Sequence, residues 1–168
     1  MNLKDLYTYS VTLARNDYLK VRGTVDTHIY FVESGSLRIF ILDGSEEQII
    51  RFGYPDNIIV ALDSFLTGKP SEFYIQAIKK TVVRVIPKSV FHEFVEQSED
   101  NKKMFVSMLQ DLILQQMERE KDILTSSPRE RYHRVLSRSP RLFQEIPNKH
   151  IANYLRMSPE TLSRLKKS

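Results

Sequence analysis

The sequence predicts an α+β chain: an antiparallel β jelly-roll or barrel, then a long helix, then a small helical domain. Three observations carry this expectation. The first 87 residues break into eight short stretches rich in β-branched and aromatic residues, with glycines between them. From Glu99 to about Thr125 an apolar helical pattern runs without a glycine or proline. Residues 126–168 carry ten Lys/Arg against three Asp/Glu, a net +7, whereas residues 1–125 sum to −3. A basic tail of this kind is suited to meeting a polyanion.

The eight strand candidates are "YTYSVTL", "DYLKV", "HIYFV", "SLRIFIL", "EEQIIRF", "NIIVAL", "FYIQAI" and "VVRVI". Gly23, Gly35, Gly44, Gly53 and Gly68 fall between them, where turns need positive φ. "LDGSEE" reads as a hairpin turn. Eight short strands with regular turns point to a closed antiparallel architecture.

The period changes at Pro87, after which Val90, Phe91, Phe94 and Val95 stand at helical spacing. In the long helix, one stripe runs Phe105, Leu109, Leu112/Ile113, Met117, Leu124, and Met104, Met108 and Leu114 widen it beyond one face. A helix apolar on two sides needs two partners: its own barrel and the same helix of a second copy. The homodimer interface is therefore expected at Phe105, Met108, Leu109, Leu112 and Met117; the alternative is a helix buried within one subunit. "SSPRE" opens a new helix, with Ser127 as cap, Pro128 at the first position and Glu130 completing a capping box. Tyr132, Val135 and Leu136 are its inward residues, and "RSPRLFQEIP" reads as a linker anchored by Leu142, Phe143 and Ile146. The expected division is 1–98 barrel, 99–125 dimerisation helix and 126–168 DNA-binding domain.

"NKHIANYL" makes about two helical turns with Ile151, Ala152 and Leu155 inward, and "RM" is a break. Ser158 caps the next helix, Pro159 takes its first position, and Leu162 and Leu165 face in. Two short helices around a tight break describe a helix-turn-helix. Glu160, Ser163, Arg164 and Lys167 are left pointing outward. A glutamate accepts from the cytosine amino group, and an arginine pairs with the guanine edge through two bonds. Lys149, His150, Lys166 and the arginines of residues 129–141 are suited to phosphates. The alternative is a helical cap with a solvated basic face.

What is missing narrows the function. The chain has no cysteine, so disulfides, thiolate-held clusters and thiol nucleophiles are excluded. No run approaches eighteen apolar residues, and "MNLKDLYTYSVTLARND" lacks the apolar core of a secretory signal, so a cytoplasmic location without membrane association is expected. His28, His92, His133 and His150 are scattered, with no H-x-H pair, so neither a metal site nor a haem ligand is expected. There is no phosphate loop or nucleophile elbow; no enzyme activity and no cofactor are expected.

"HIANYLRMSPETLSRLKK" resembles the helix-turn-helix of the Crp/Fnr superfamily of transcription regulators, whose recognition helix carries an S-R-E-T-x-x-R string. "HIYFVESGSLRIF" resembles the strand–turn–strand of that family's cyclic-nucleotide-binding-like barrel, and "FGYPDNIIVALDSFLTGKPSEFYIQAI" its phosphate-binding cassette. The resemblance implies a homodimer on double-stranded DNA, reading an inverted repeat through the helix that starts at Pro159, with half-sites about 34 Å apart. It places the base-reading pair at Glu160 and Arg164, the preceding serine at Ser158 and the following threonine at Thr161. Pro159 replaces an arginine that often follows that serine, so the target should differ. Arg156 replaces the usual turn glycine, which makes a left-handed conformation there cost about 1 kcal/mol. At Ser168 the chain stops where family members continue into a β-wing, so a minimal or truncated version is expected.

In the family's nucleotide binders, a Gly-Glu pair holds the ribose and an Arg-Ser or Arg-Thr pair the cyclic phosphate. The resemblance puts Val60-Ala61 and Ser71-Glu72 at those places, a degenerate effector pocket without ribose acceptor or phosphate cation. Glu72 would moreover repel a phosphate. No cyclic nucleotide is expected in the usual mode; an unknown small effector, or none, stays open. Asp56, Asp63 and Glu72 read as a turn aspartate and cassette remnants rather than as acid–base machinery. The alternative function is a ligand-sensing or protein-interaction barrel without specific DNA binding.

Overall fold

The computed structural model describes residues 3–167; Met1, Asn2 and Ser168, the position at which a missing wing was read, lie outside the described residues. All eight predicted stretches are strands: β1 Tyr9–Leu13, β2 Tyr18–Lys20, β3 Ile29–Ser34, β4 Leu37–Asp43, β5 Glu46–Gly53, β6 Ile58–Val60, β7 Tyr74–Ala77 and β8 Thr81–Ile86. They form two antiparallel four-stranded sheets, ordered β1-β8-β3-β6 and β2-β7-β4-β5. The α+β class and the antiparallel jelly-roll are thus as the sequence predicts.

The two-residue side-chain period explains the core. Leu13, Tyr30, Val32, Ile59, Val83 and Val85 from one sheet meet Leu37, Ile39, Ile75 and Ala77 from the other. The alternate residues of β4 and β7 build a second layer. There Phe40 stacks on Tyr74 at 5.1 Å between centroids, and the Arg38 guanidinium lies 4.8 Å over Phe40. Arg38 also grips Gln76 and, through two nitrogens, Glu47. An arginine largely withdrawn from water on a sheet face is acceptable only when its donors are used.

Gly53 departs from the expected turn. It ends β5 opposite Leu37, with a φ outside the left-handed region, and an added Cβ would come within 2.7 Å of Ile59. Close strand packing, not turn geometry, accounts for that glycine. Between β6 and β7 the chain forms a short helix, α1 Leu62–Thr67, within the stretch that the sequence offers only as a cassette.

Residues 1–94 and 95–168 form two compact units. Helix α2, Lys88–Glu96, buries Phe91 and Phe94, and Phe91 sets its ring edge-on to Phe65 at 6.2 Å. In the second unit α3 spans Glu99–Leu124, capped by Ser98, whose side chain accepts from the Asn101 amide, with Glu99 and Asp100 in the favoured first turn. Then come α4 Pro128–Arg138, α5 Leu142–Glu145, α6 Asn148–Tyr154 and α7 Pro159–Leu165. The expected linker "RSPRLFQEIP" therefore contains a helical turn. Its amides bond back to Ser139, Pro140 and Arg141, which lets Leu142 and Ile146 both reach the interior.

Gly35 and Gly44 both have left-handed φ, at +88° and +60°, but a Cβ at Gly35 would lie 2.4 Å from the Lys80 carbonyl oxygen while Gly44 stands in open space. Gly44→Ala should cost about 1 kcal/mol for conformation alone. Gly35→Ala should cost distinctly more, because the β3–β4 and β7–β8 turns must separate. Denaturant midpoints of the two variants check this difference.

Candidate nucleic-acid interface

The helix-turn-helix is built from short-range bonds. Pro147 starts α6 by accepting from the His150 and Ile151 amides, and Ile151, Ala152 and Leu155 are fully buried. After α6 the chain turns through Arg156 at φ +53°. The Met157 amide donates to Ala152 O at 3.0 Å and the Arg156 amide to Asn153 O at 3.0 Å. These two bonds are a Schellman motif with arginine where glycine is usual. Ser158 then caps α7, its hydroxyl accepting from the Thr161 amide at 3.1 Å, with Pro159 at the first position.

Leu162 is completely buried, and Glu160, Ser163, Arg164 and Lys167 are exposed, as the helical spacing predicts. Thr161 is half-buried, and its hydroxyl lies 3.4 Å from Arg164 Nη2. The Glu160 carboxyl is held below its ordinary range by its own backbone amide and by Ser158 at the helix start. Lys149 is exposed on α6, while Lys166 donates to Asn148 Oδ1 at 2.9 Å and so staples α7 to the start of α6.

The arginines of α4 do not form the phosphate-facing row expected of residues 129–141. Arg134 and Arg138 turn to α3, where Asp122 has no accessible surface. Arg134 Nε donates to Asp122 Oδ1 at 3.1 Å, Arg138 bonds both carboxylate oxygens, and both arginines reach Glu118. The bond to Asp122 and the charge beside it hold the Arg138 guanidinium above its ordinary pKa. Lys121, 2.7 Å from Glu118 Oε1, holds that carboxyl below the ordinary range, with Arg134 and Arg138 adding to it. Arg131 is buried, and Arg141 lies 3.6 Å from Glu145. Arg129 alone of the five is exposed without such an engagement among the described residues. Sequence reasoning missed this because Asp122 looks like one more charge near the end of a polar helix. Its position four residues after Glu118, facing arginines spaced by four on the next helix, is the usable signal.

On α3, Phe105, Met108, Leu109 and Leu112 are half-buried, and Met117 is exposed. Val106, Ile113, Leu114 and Leu124 are also exposed, Ile113 at 60% and Leu124 at 76%. The helix therefore carries an open apolar strip, Val106, Ile113, Met117 and Leu124, rotated from the half-buried one.

In the cassette, Val60 ends β6 half-buried, Ala61 is buried before α1, and Ser71 is buried with its hydroxyl accepting from the Phe73 amide. Glu72 is exposed and paired with Arg22 at 2.6 Å, so the repulsion expected from it is offset by a neighbouring cation. Two groups not singled out by the sequence lie beside it. Lys20, 4% exposed, donates to the carbonyl and hydroxyl of Thr24, and Thr24 O also accepts from Ser71 N. Burial lowers the Lys20 pKa, with Asp26 and Asp63 opposing. Asp26 accepts from the Tyr30 hydroxyl at 2.9 Å and from the His28 amide, and its own amide donates to Ser64 Oγ. Burial first, then Asp26, raises the Tyr30 pKa. Asp56 is a turn residue at φ +76°. Asp63 accepts from the Ser64 and Glu72 amides, tying both ends of the cassette. Among the described residues no cluster of three His, Asp or Glu is arranged for a metal ion. No helix among them is long and apolar enough to cross a membrane.

An effector-type barrel, a long helix and a capped helix-turn-helix define a protein of the Crp/Fnr fold. Residues 10–98 match the cyclic nucleotide-binding domain, and the chain belongs to that family. A comparison with curated proteins gives no match. Among solved structures, the chain is similar to FixK2 from Bradyrhizobium japonicum at 17% identity and TM-score 0.77, covering 95% of this chain and 82% of that one. It is similar to a mutant CooA from Carboxydothermus hydrogenoformans at 16% identity and TM-score 0.72, covering 95% and 74%. A transcriptional regulator of the CRP family from Thermus thermophilus aligns at 17% identity and TM-score 0.67, over 94% and 82%.

Asp122→Asn keeps the shape of the side chain and removes the charge that two arginines share. The arginines are about a third exposed, so water offsets part of the loss. The expected cost is about 1.5–3 kcal/mol, read as a drop in the unfolding midpoint of the full chain. Arg134→Ala should cost less, because Arg138 still covers the carboxylate.

Proposed function

We propose that the chain is a homodimeric, sequence-specific DNA-binding transcription regulator of the Crp/Fnr type, acting in the cytoplasm on an inverted repeat. The observation that carries this reading is α7: a capped helix after a tight left-handed turn, presenting Glu160, Ser163, Arg164 and Lys167 on one exposed face. Arg164 is the guanine reader, Glu160 the cytosine reader, and Lys149 and Lys167 meet phosphates. Ser158 and Thr161 hold the helix start and its phosphate-side edge. The reading includes no catalysis and no cofactor.

Two copies associate through α3. The open strip at Val106, Ile113, Met117 and Leu124 supports this, together with the half-buried Phe105, Met108, Leu109 and Leu112 that flank it. The barrel binds no cyclic nucleotide in the usual mode. Val60-Ala61 offers no ribose acceptor, and the buried cation of the cassette, Lys20, is already engaged by Thr24.

The deciding experiment is selection of duplexes by the full chain from a randomised pool, followed by gel shifts at several salt concentrations. The expected product is an inverted repeat; recovery of no sequence would leave the barrel as the functional part. Arg164→Ala should lose about 1–3 kcal/mol on the selected site and relax one base-pair position. Lys149→Ala should weaken all duplexes alike and flatten the salt slope.

Ile113→Glu tests the dimer better than a change at half-buried Leu112, since an exposed site leaves the protomer intact. It should give folded monomers by ultracentrifugation, with DNA binding weakened because each half-site loses its tethered neighbour. Millimolar cyclic AMP or cyclic GMP should leave the melting temperature unchanged. A ligand at about a hundred times its dissociation constant would add about 2.7 kcal/mol, which a thermal shift detects.

A further inference from the structure

The last carbonyls of a helix have no helical partner, and the dipole makes that end favourable for a cation. Two such ends converge on one side chain. Arg131, in α4, is 9% exposed. Its Nη1 donates to Thr125 O at 2.6 Å and Ser126 O at 2.9 Å, immediately after α3. Its Nε donates to Leu155 O at 2.9 Å and its Nη2 to Arg156 O at 3.1 Å, in the turn between α6 and α7. All four acceptors are main-chain.

We propose that Arg131 is the positioning residue of the DNA-reading helix: one guanidinium joins the end of α3 to the helix-turn-helix turn and sets the angle at which α7 is presented. The inference rests on the DNA-binding reading of α7. A carboxylate partner would fix the arginine to a side chain that can rotate, whereas carbonyls fix it to backbone. Only a planar fork spans four acceptors in two directions; a lysine ammonium is a point donor on a flexible stem. One of the acceptors belongs to Arg156, the non-glycine residue held at φ +53°, and Pro159 begins α7 three residues later. Tilt at this turn is passed directly to Glu160 and Arg164. Arg134 and Arg138 fix α4 against Asp122 independently, so α4 stays docked when the clamp is removed.

The test uses the full chain with Arg131→Met, which keeps the stem and removes the donors, Arg131→Lys, and Val135→Ala as a control. Val135 is buried in the same helix and its side chain makes no bond to these carbonyls. The probes are a duplex selected by the wild-type protein and a scrambled duplex of equal length, with hydrogen exchange over residues 153–165 measured alongside. Arg131→Met should lower the preference for the selected duplex by about tenfold or more and leave binding to the scrambled duplex nearly unchanged. Exchange should speed up at Met157 and along α7. Arg131→Lys should recover only part of the preference, and Val135→Ala should keep it while lowering stability. An unchanged preference in Arg131→Met, or an equal loss in Val135→Ala, overturns the inference. If Arg131→Met fails to fold, the same comparison is made with Arg131→Lys, and a full preference there overturns it. If the wild type selects no duplex, the DNA reading has failed. Exchange then decides the clamp alone, and unchanged protection over 155–165 in the variants overturns it.

Discussion

A carboxylate without access to water needs cations from the protein, and the second unit depends on how Asp122 meets that need. Taking such a group out of water costs several kcal/mol, which its partners recover only with good geometry. Arg134 and Arg138, one helical turn apart on α4, therefore allow a single rotation and a single register of α4 on α3. Once that register is set, the opposite side of α4 is committed to the interior. Tyr132 and Val135 are buried there, and Tyr132 meets Phe143 edge-on at 5.5 Å. Arg119 adds a second tie, stacking 3.7 Å over the Tyr154 ring of α6.

The barrel solves a different problem. In the proposed reading its cassette carries Val60-Ala61 and Ser71-Glu72 in place of the nucleotide-binding pairs, yet it is not loose. Gly23 N donates to Ser71 O, Ser71 N to Thr24 O, and the buried Lys20 closes on the same Thr24. Asp63 takes the amides of Ser64 and Glu72, and Ser64 Oγ takes that of Asp26. In a binder, a bound anion can bridge the two ends of such a loop. Here the bridge is a side-chain carboxylate, already present and not dependent on concentration.

How much of this was legible in the sequence differs between the units. Strand positions were plain because β-branched alternation and turn residues agree, and the cap of α7 was plain because Ser158 and Pro159 are local signals. The exposed face of α7 followed from spacing alone. The interior arginines were not legible. Arg131, Arg134 and Arg138 look like Arg129 in a basic tail, and only tertiary docking separates a charge that faces solvent from one that caps a helix end. Gly53 misled for a similar reason: glycine marks positive φ and close approach equally, and the approach of Ile59 is non-local. Arg156 adopts the left-handed turn without glycine because two backbone bonds and a guanidinium hold it there.

The same docking changes what the charge distribution means. Dividing the sequence at residue 126 gave a tail of +7, but that cut separates Asp122 and Glu118 from the arginines they neutralise. Counted over the compact unit, residues 95–168 hold fourteen Lys/Arg and ten Asp/Glu, a net +4, and residues 1–94 are balanced. Lys166 is engaged by Asn148, and Arg131 is out of solvent. In the proposed DNA-binding reading, the cations left to face a duplex are few, chiefly Arg129, Lys149, Arg156, Arg164 and Lys167. Non-specific attraction to DNA grows with the number of phosphates neutralised, so in the proposed reading this surface supplies only a modest share of it. Affinity in the proposed reading then comes from the geometry of Glu160 and Arg164 against base edges and from pairing two copies. Both depend on how rigidly α7 is held to α3, which is why the charges withdrawn from the surface matter as much as those left on it.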